Sequence, residues 1–233
     1  MKGYLATNFF NKFALDGTEA LAQKIEKETS LKWYIPHRNG EINDKKNNDD
    51  IITDVKIYQA DMKELMSSDI IVANLDGVEI DSGVAGEIGM IAAWNEMLNN
   101  YDIDEREELN YKLIIGYYTD MRQHGTGDNH FYINLFVKGA CNCFGFVVDN
   151  EEDIIRIIDN WYKIQEHLNS ENEELRFLYK NHRGDVSKRR VYLLNLWHGY
   201  TEFHKEAQFL LRGVDLDKKD CKDFAFKEII EVL

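Results

Sequence analysis

Between Asp76 and Gly89 the chain reads Asp-Gly-Val-Glu-Ile-Asp-Ser-Gly-Val-Ala-Gly-Glu-Ile-Gly, which sets two carboxylates, Asp81 and Glu87, six residues apart among small residues. The apolar run Ile70-Ile71-Val72-Ala73-Asn74-Leu75 predicts a buried strand, and Val84, Ile88 and Ile91 at helical spacing predict a helix capped by Asp81 or Ser82. Glu87 then stands one turn into a helix, beside a strand-to-helix turn of the kind where ligands sit. Each interior glycine costs a helix about 1 kcal/mol, so Gly83, Gly86 and Gly89, with Ala85, imply that something other than helix formation needs room there. A small molecule approaching a carboxylate is one such need. A first-turn Glu favoured by the helix dipole, with glycines serving close helix packing, is the other.

A third acid joins these two. In the helix expected over Ile51–Met66, Val55, Tyr58, Met62 and Leu65 form an apolar stripe to be buried, and Asp61 falls at its border, where partial burial raises a carboxyl pKa. Three converging carboxylates are enough for a nucleophile, a proton donor and a hydroxyl-binding group in glycosyl transfer. Each taken alone also fits an exposed surface position. Other signals are weaker. Gly125-Thr126-Gly127 lacks a Walker lysine and reads as a loop, His124 and His130 lack metal spacing, and no Cys/His cluster points to zinc. Ser82 lies in Asp-Ser-Gly, without the Gly-x-Ser-x-Gly frame of a hydrolase elbow, and reads as a cap. Cys141 and Cys143, at the start of the run Phe144–Val148, are expected to pack as small hydrophobes.

The elements that must hold these residues alternate between short apolar runs and amphipathic stretches, the pattern of a parallel sheet with helices on both faces. Strands are expected at Gly3–Ala6, Lys32–Ile35, Ile70–Leu75, Lys112–Tyr118 and Phe144–Val148. Helices are expected near Leu15–Thr29, Ile51–Met66 and Gly83–Asn99, with a less regular piece at Asn129–Lys138. Five parallel strands make an α/β, flavodoxin-like sheet, whose carboxyl edge would gather Thr7-Asn8-Phe9, Pro36-His37-Arg38-Asn39, Asp76-Gly77 and Thr119-Asp120. The polar run Asn43–Asp50 reads as a mobile loop beside that edge. From Glu151 the spacing of Ile154, Ile155, Ile158, Trp161, Tyr162, Ile164 and Leu168 predicts a further helix, followed by helical stretches at Leu175–Lys180 and Val191–Leu211. The expected organisation is a catalytic domain over 1–168 and an α-helical C-terminal extension over 169–233.

The 233 residues carry a formal charge of −14, with 14 basic and 25 acidic side chains in residues 1–150 and 14 and 17 in residues 151–233. That balance argues against a nucleic-acid or anionic-membrane surface; the local exception is Lys188-Arg189-Arg190, read as a solvated helix face. Three cysteines are too few for a disulfide framework and fit a reducing cytoplasm, and no apolar stretch reaches membrane-spanning length, so a cytoplasmic location is expected.

Residues 3–148 resemble the nucleoside 2-deoxyribosyltransferases. The resemblance runs through Tyr4-Leu5-Ala6, Tyr34-Ile35-Pro36, Tyr58-Gln59-Ala60-Asp61 and Ile133-Asn134-Leu135-Phe136, and is most specific in Asp81-Ser82-Gly83-Val84-Ala85-Gly86-Glu87-Ile88-Gly89. It implies that Glu87 matches the nucleophile that attacks the anomeric carbon, Tyr4 the phenol that orients it, Asp61 the acid that protonates or holds the base, and Asp81 the group that binds the sugar hydroxyl. It further implies that Asn134, with Phe136, is lent to a neighbouring subunit, so that a homo-oligomer with shared sites is expected. The implied substrates are a deoxynucleoside and a free nucleobase, as in nucleotide salvage, and the chemistry requires no metal or organic cofactor. The chain departs from the family pattern at Thr7-Asn8-Phe9-Phe10, at Phe136 where a Met is familiar, and in the base-recognition loop His37-Arg38-Asn39-Gly40, where Asn39 is the substrate-binding candidate. A nucleoside or nucleotide N-glycosidase and a non-catalytic nucleotide-sensing module are the alternatives.

Overall fold

The structure, a computed structural model, describes residues 1–44, 51–100, 110–121, 133–170 and 174–233. The loop residues 45–50, the Gly125–Gly127 segment, His124 and His130, and the start of the Asn129–Lys138 piece lie outside them. Strands β1 (Lys2–Ala6), β2 (Lys32–Tyr34), β3 (Ile70–Asn74), β4 (Leu113–Tyr117) and β5 (Gly145–Val148) form one parallel sheet in the order β2-β1-β3-β4-β5. This is the flavodoxin-like α/β order, and its switch point lies between β1 and β3. The inner strands are mostly apolar because helices cover both faces: Leu5, Ile71, Val72, Ile114 and Ile115 are all buried.

Helices α1 (Lys12–Glu28), α3 (Asp54–Met66), α4 (Ser82–Asn99), α5 (Leu135–Cys143) and α6 (Glu151–Asn169) connect or follow the strands, and a short α2 (Gly40–Asn43) follows β2. Side-chain caps start them: Asn11 for α1, Thr53 for α3, Asn134 for α5 and Asn150 for α6 each accept a backbone amide of the first turn. Two expected placements change. Cys141 and Cys143 belong to α5 and not to the strand after it, although Cys141 is buried as a small hydrophobe should be. On α3 only Leu65 is fully buried, while Val55 and Tyr58 are each 56% exposed. The stripe therefore borders an open cleft, so its apolar spacing does not translate into burial.

The C-terminal extension is not helical. Strands β6 (Glu174–Lys180), β7 (Val186–Gly199), β8 (Gln208–Asp215), β9 (Asp220–Ala225) and β10 (Ile229–Val232) form an antiparallel sheet in the order β10-β6-β7-β8-β9. Its first and last strands in that order, β10 and β9, are joined by the 3-10 turn Phe226–Glu228, which curls the sheet into a partly open barrel. The stretches expected as helices carry period-two burial: Leu175, Phe177 and Tyr179 point inward while Arg176 and Lys180 point out. Gly184, at φ +86°, and Lys219, at φ +54°, sit in the turns that reverse the chain between β6 and β7 and between β8 and β9. Lys188-Arg189-Arg190 accordingly lies on β7, where Arg190 binds Glu174 and Arg189 faces the buried Asp215 at 3.7 Å.

The barrel closes over the edge strand β5 and the flank of α6, so that one core runs through both parts of the chain. Trp161 of α6 packs 5.1 Å from Phe209 and 5.3 Å from Phe226, and Phe226 meets Phe146 of β5 edge-on at 5.3 Å. The buried Asn160 of α6 reads the bulge in β10, donating to the Ile230 carbonyl at 3.2 Å and accepting the Val232 amide at 2.8 Å.

Candidate active site

Glu87 owes its position to the start of α4. Asp81 is the N-cap: its Oδ1 accepts the amides of Gly83 at 2.9 Å and Val84 at 3.3 Å, so Asp81 rather than Ser82 fixes the first turn. Val84, Ile88 and Ile91 anchor the helix on the sheet at no more than 2% exposure, which turns Glu87 toward β1. There the buried Tyr4 donates its phenol hydrogen to Glu87 Oε1 at 2.5 Å. A methyl group placed on Gly86 or Gly89 would meet nothing within 4 Å. Those glycines therefore do not serve close packing within this chain, and Gly86 lines open space beside Glu87.

That space is a pair of adjoining clefts on the α3 and α4 side of the sheet. One, of about 290 Å³, has Asp61, Asp81, Gly83 and Glu87 on one side and Thr7, Phe9, Phe10, Pro36, Ile42 and Asn43 on the other. The second, of about 230 Å³, shares Asp61, Gly83 and Glu87 and adds Tyr58, Met62, Leu65, Ser82, Gly86 and Met90. The three acids singled out in the sequence thus converge. The loop after β2, which walls the larger cleft, is pinned to α1 by Arg38, whose guanidinium binds Glu19 at 2.8 Å and Glu26 at 2.8 Å, and by His37, 2.8 Å from Glu19. Asp76, also at the carboxyl edge, instead ties two loops together by accepting the amides of Thr119 at 2.6 Å and Asp120 at 2.9 Å.

Burial sets the electrostatics. It pushes the Glu87 carboxyl up to about 7, helped by the nearby charges of Asp61 and Asp81 and opposed by the hydrogen bond from Tyr4. Asp61 is also raised, first by burial and then by Glu64, against the hydrogen bond it receives from Tyr34 at 2.9 Å. The Tyr4 phenol is held well above its ordinary range by burial and by Glu87, and so remains a donor. The result is a carboxylate that titrates near neutrality facing a second acid that holds its proton longer than an exposed one.

The remaining candidates are placed differently. Asn134 caps α5 with Oδ1, accepting the amides of Phe136 at 3.0 Å and Val137 at 3.2 Å, and Phe136 is 84% exposed. Neither lines the clefts of its own chain. Asn39 spends its carboxamide on the Glu41 amide and on Tyr34. Sequence reasoning assigned no role to Tyr34, which stands opposite Tyr4 in the register of β1 and β2. Asn43 and Ile57 were likewise not singled out as cleft residues. Among the described residues no group of three or more His, Cys, Asp or Glu side chains is placed to hold a metal ion, and no helix is long and apolar enough to cross a membrane.

The family model described as nucleoside 2-deoxyribosyltransferase matches residues 4–157, from β1 into α6, and leaves the barrel outside. A conserved protein of Enterococcus faecalis V583, known from a crystal structure, is 30% identical with a TM-score of 0.53 over 66% of this chain and 94% of its own. A 2-deoxyribosyltransferase from Bacillus psychrosaccharolyticus is 17% identical, with a TM-score of 0.42 over 66% of this chain and 90% of its own. One from Leishmania mexicana is 20% identical, with a TM-score of 0.43 over 72% and 99%. No curated protein matches the chain. On the span from β1 into α6, which holds Tyr4, Asp61, Asp81 and Glu87, the chain belongs to the nucleoside 2-deoxyribosyltransferase family.

Proposed function

We propose that this protein transfers the 2-deoxyribosyl group from a deoxynucleoside to a second, free nucleobase through a covalent ester on Glu87. The observation that carries the reading is the buried Tyr4 to Glu87 hydrogen bond inside a cleft that also holds Asp61 and Asp81. Tyr4 occupies Oε1 and leaves Oε2 of the ionised carboxylate to attack the anomeric carbon. As that bond forms, the bond from carbon to base nitrogen breaks, its electron pair goes to the base, and Asp61 supplies the proton that makes the base a tolerable leaving group. A second base then attacks the ester, returns the carboxylate and gives its proton to Asp61. Two displacements retain the β configuration. Asp81, with one oxygen spent on the cap, presents the other to a sugar hydroxyl.

The exposure of Leu135 at 66% and Phe136 at 84%, beside the capping Asn134, supports the reading that these residues complete the site of a neighbouring subunit. The test is to incubate the protein with a deoxynucleoside and a different free base. Exchange product is expected, and its loss in Glu87→Ala with the fold intact. Free deoxyribose instead would mean an N-glycosidase, and neither product would mean a non-catalytic nucleotide-binding module. Mixing inactive Glu87→Ala and Asn134→Ala proteins should restore part of the activity by forming one intact site; no rescue after verified subunit exchange would show that each chain serves itself.

A further inference from the structure

Asp61 does not hang free in the cleft. Its Oδ1 is held by the phenol of Tyr34 at 2.9 Å, and the phenol oxygen in turn accepts Nδ2 of Asn39 at 2.9 Å. The direction of this chain is determined by chemistry. Asn39 Oδ1 accepts the Glu41 amide at 3.1 Å, so the end facing Tyr34 is the NH2, which only donates. Tyr34 must therefore accept from Asn39, and among the described residues Asp61 Oδ1 is the sole acceptor for its hydrogen. The ring is fixed as well, 5.4 Å from that of Tyr4, its register partner on β1.

We propose that Tyr34 is a positioning residue for Asp61: directed by Asn39, its phenol ties down Oδ1 and leaves Oδ2 as the oxygen that passes a proton to the departing base and takes one from the incoming base. The proposal rests on the reading of Asp61 given above. A proton on Oδ1 would evict the Tyr34 hydrogen from its acceptor, whereas a proton on Oδ2 leaves the whole chain intact. Asn39, expected from the sequence to touch the base, acts two hydrogen bonds away through Tyr34. Burial and the Asp61 charge hold the phenol above its ordinary range, so it stays a donor throughout the cycle.

The experiment compares Tyr34→Phe, Asn39→Ala, the double variant and Asp61→Asn with the wild type in the base-exchange assay as a function of pH, after circular dichroism has verified each fold. A wild type that exchanges bases and an Asp61→Asn variant slowed most for poorly leaving bases establish the parent reading separately. Tyr34→Phe is then expected to lower kcat roughly ten- to a hundredfold for a base that must be protonated to leave, the size of a hydrogen bond to a charged group, with the KM of the deoxynucleoside within about twofold. Tyr34 stabilises the ionised carboxylate, so its loss should let Asp61 keep its proton to higher pH and move up the limb of the profile that Asp61→Asn removes. Asn39→Ala should move it the same way by less, and should add less than about twofold in the Tyr34→Phe background, as members of one network do. A folded Tyr34→Phe in which that limb does not move would overturn the proposal. So would an Asn39→Ala effect that falls on the KM of the acceptor base and is additive with Tyr34→Phe. Should Tyr34→Phe not fold, 3-fluorotyrosine at position 34 alone sharpens the donor and should shift the limb that Asp61→Asn removes down; an unmoved limb refutes the proposal there too.

Discussion

A carboxylate serves as nucleophile only when ionised, and Glu87, raised to about 7, keeps its proton to higher pH than an exposed glutamate does. The active form needs Glu87 ionised and Asp61 protonated, so kcat/KM should follow a bell-shaped profile with one limb near 7. A profile with no limb near 7 would remove Glu87 from the attacking role. The same shift has a cost in stability. The folded pKa lies above the unfolded one, so folding disfavours the ionised form, and the penalty grows from about pH 4.5 and is complete above about 7. Glu87→Gln keeps an acceptor for Tyr4 without the charge; it should be inactive yet more stable than the wild type by roughly 1–3 kcal/mol at pH 8 and equal to it at pH 4. Equal stability at both values would mean that Glu87 is solvated in the folded chain. The identities of these residues were legible because carboxylates among glycines are conspicuous. Tyr34 was not, since a strand tyrosine carries no local mark of its function and only the register of β1 on β2 brings it to Asp61.

At the scale of an element, α4 reconciles two demands: a stable first turn and a bare face. Asp81→Ala should cost about 1 kcal/mol through loss of the cap, while Asp81→Asn, an equally good cap, should leave the melting temperature nearly unchanged and still weaken sugar binding. Parallel losses of stability and activity in both variants would reduce Asp81 to a cap. Gly86→Ala puts a methyl where this chain has no atom within 4 Å, so it should stabilise the helix by about 0.5–1 kcal/mol while obstructing the cleft that Gly86 lines. A gain in stability without a loss in exchange rate would show that ligand does not occupy that space. The parallel sheet was legible because its strands are unbroken apolar runs and α1, α4 and α6 repeat cleanly at helical spacing. The barrel was not. In β6, Leu178 interrupts the alternation, and β7 contains an irregularity between Leu193 and Asn195 that flips its pattern midway, so the period-two signal is broken where it would be longest. Tertiary burial, which decides the state of such segments, is not a local property.

At the scale of the molecule, the barrel meets the helix that carries Glu87 at His198. His198 of β7 packs on Phe144 at 4.4 Å, donates Nε2–H to the Cys143 carbonyl at 3.1 Å and accepts Asn99 Nδ2 on Nδ1 at 3.2 Å. Asn99 is the last residue of α4 and also accepts the Tyr111 phenol at 2.9 Å. Both ring nitrogens are used in the senses that only a neutral imidazole allows. Burial holds the His198 pKa below its ordinary value, with the Cys143 carbonyl and the Glu96 charge pulling it up and Lys227 pushing it further down. Because the folded pKa is depressed, the stability this contact contributes is present above about 6.5 and is lost as pH falls through that value and below, when a proton on Nδ1 would face the Asn99 amide. Glu87 acts in the opposite sense over part of that range, so the comparison must be made between variants. Thermal melts of wild type and His198→Gln, from pH 7.5 down to pH 5, should show the wild type losing more of its melting temperature, with tryptophan fluorescence reporting Trp161 as the barrel loosens from α6. Identical slopes in the two proteins would mean that His198 titrates in the folded state as it does in the unfolded chain, and that acid reaches the junction between barrel and catalytic domain through some other group.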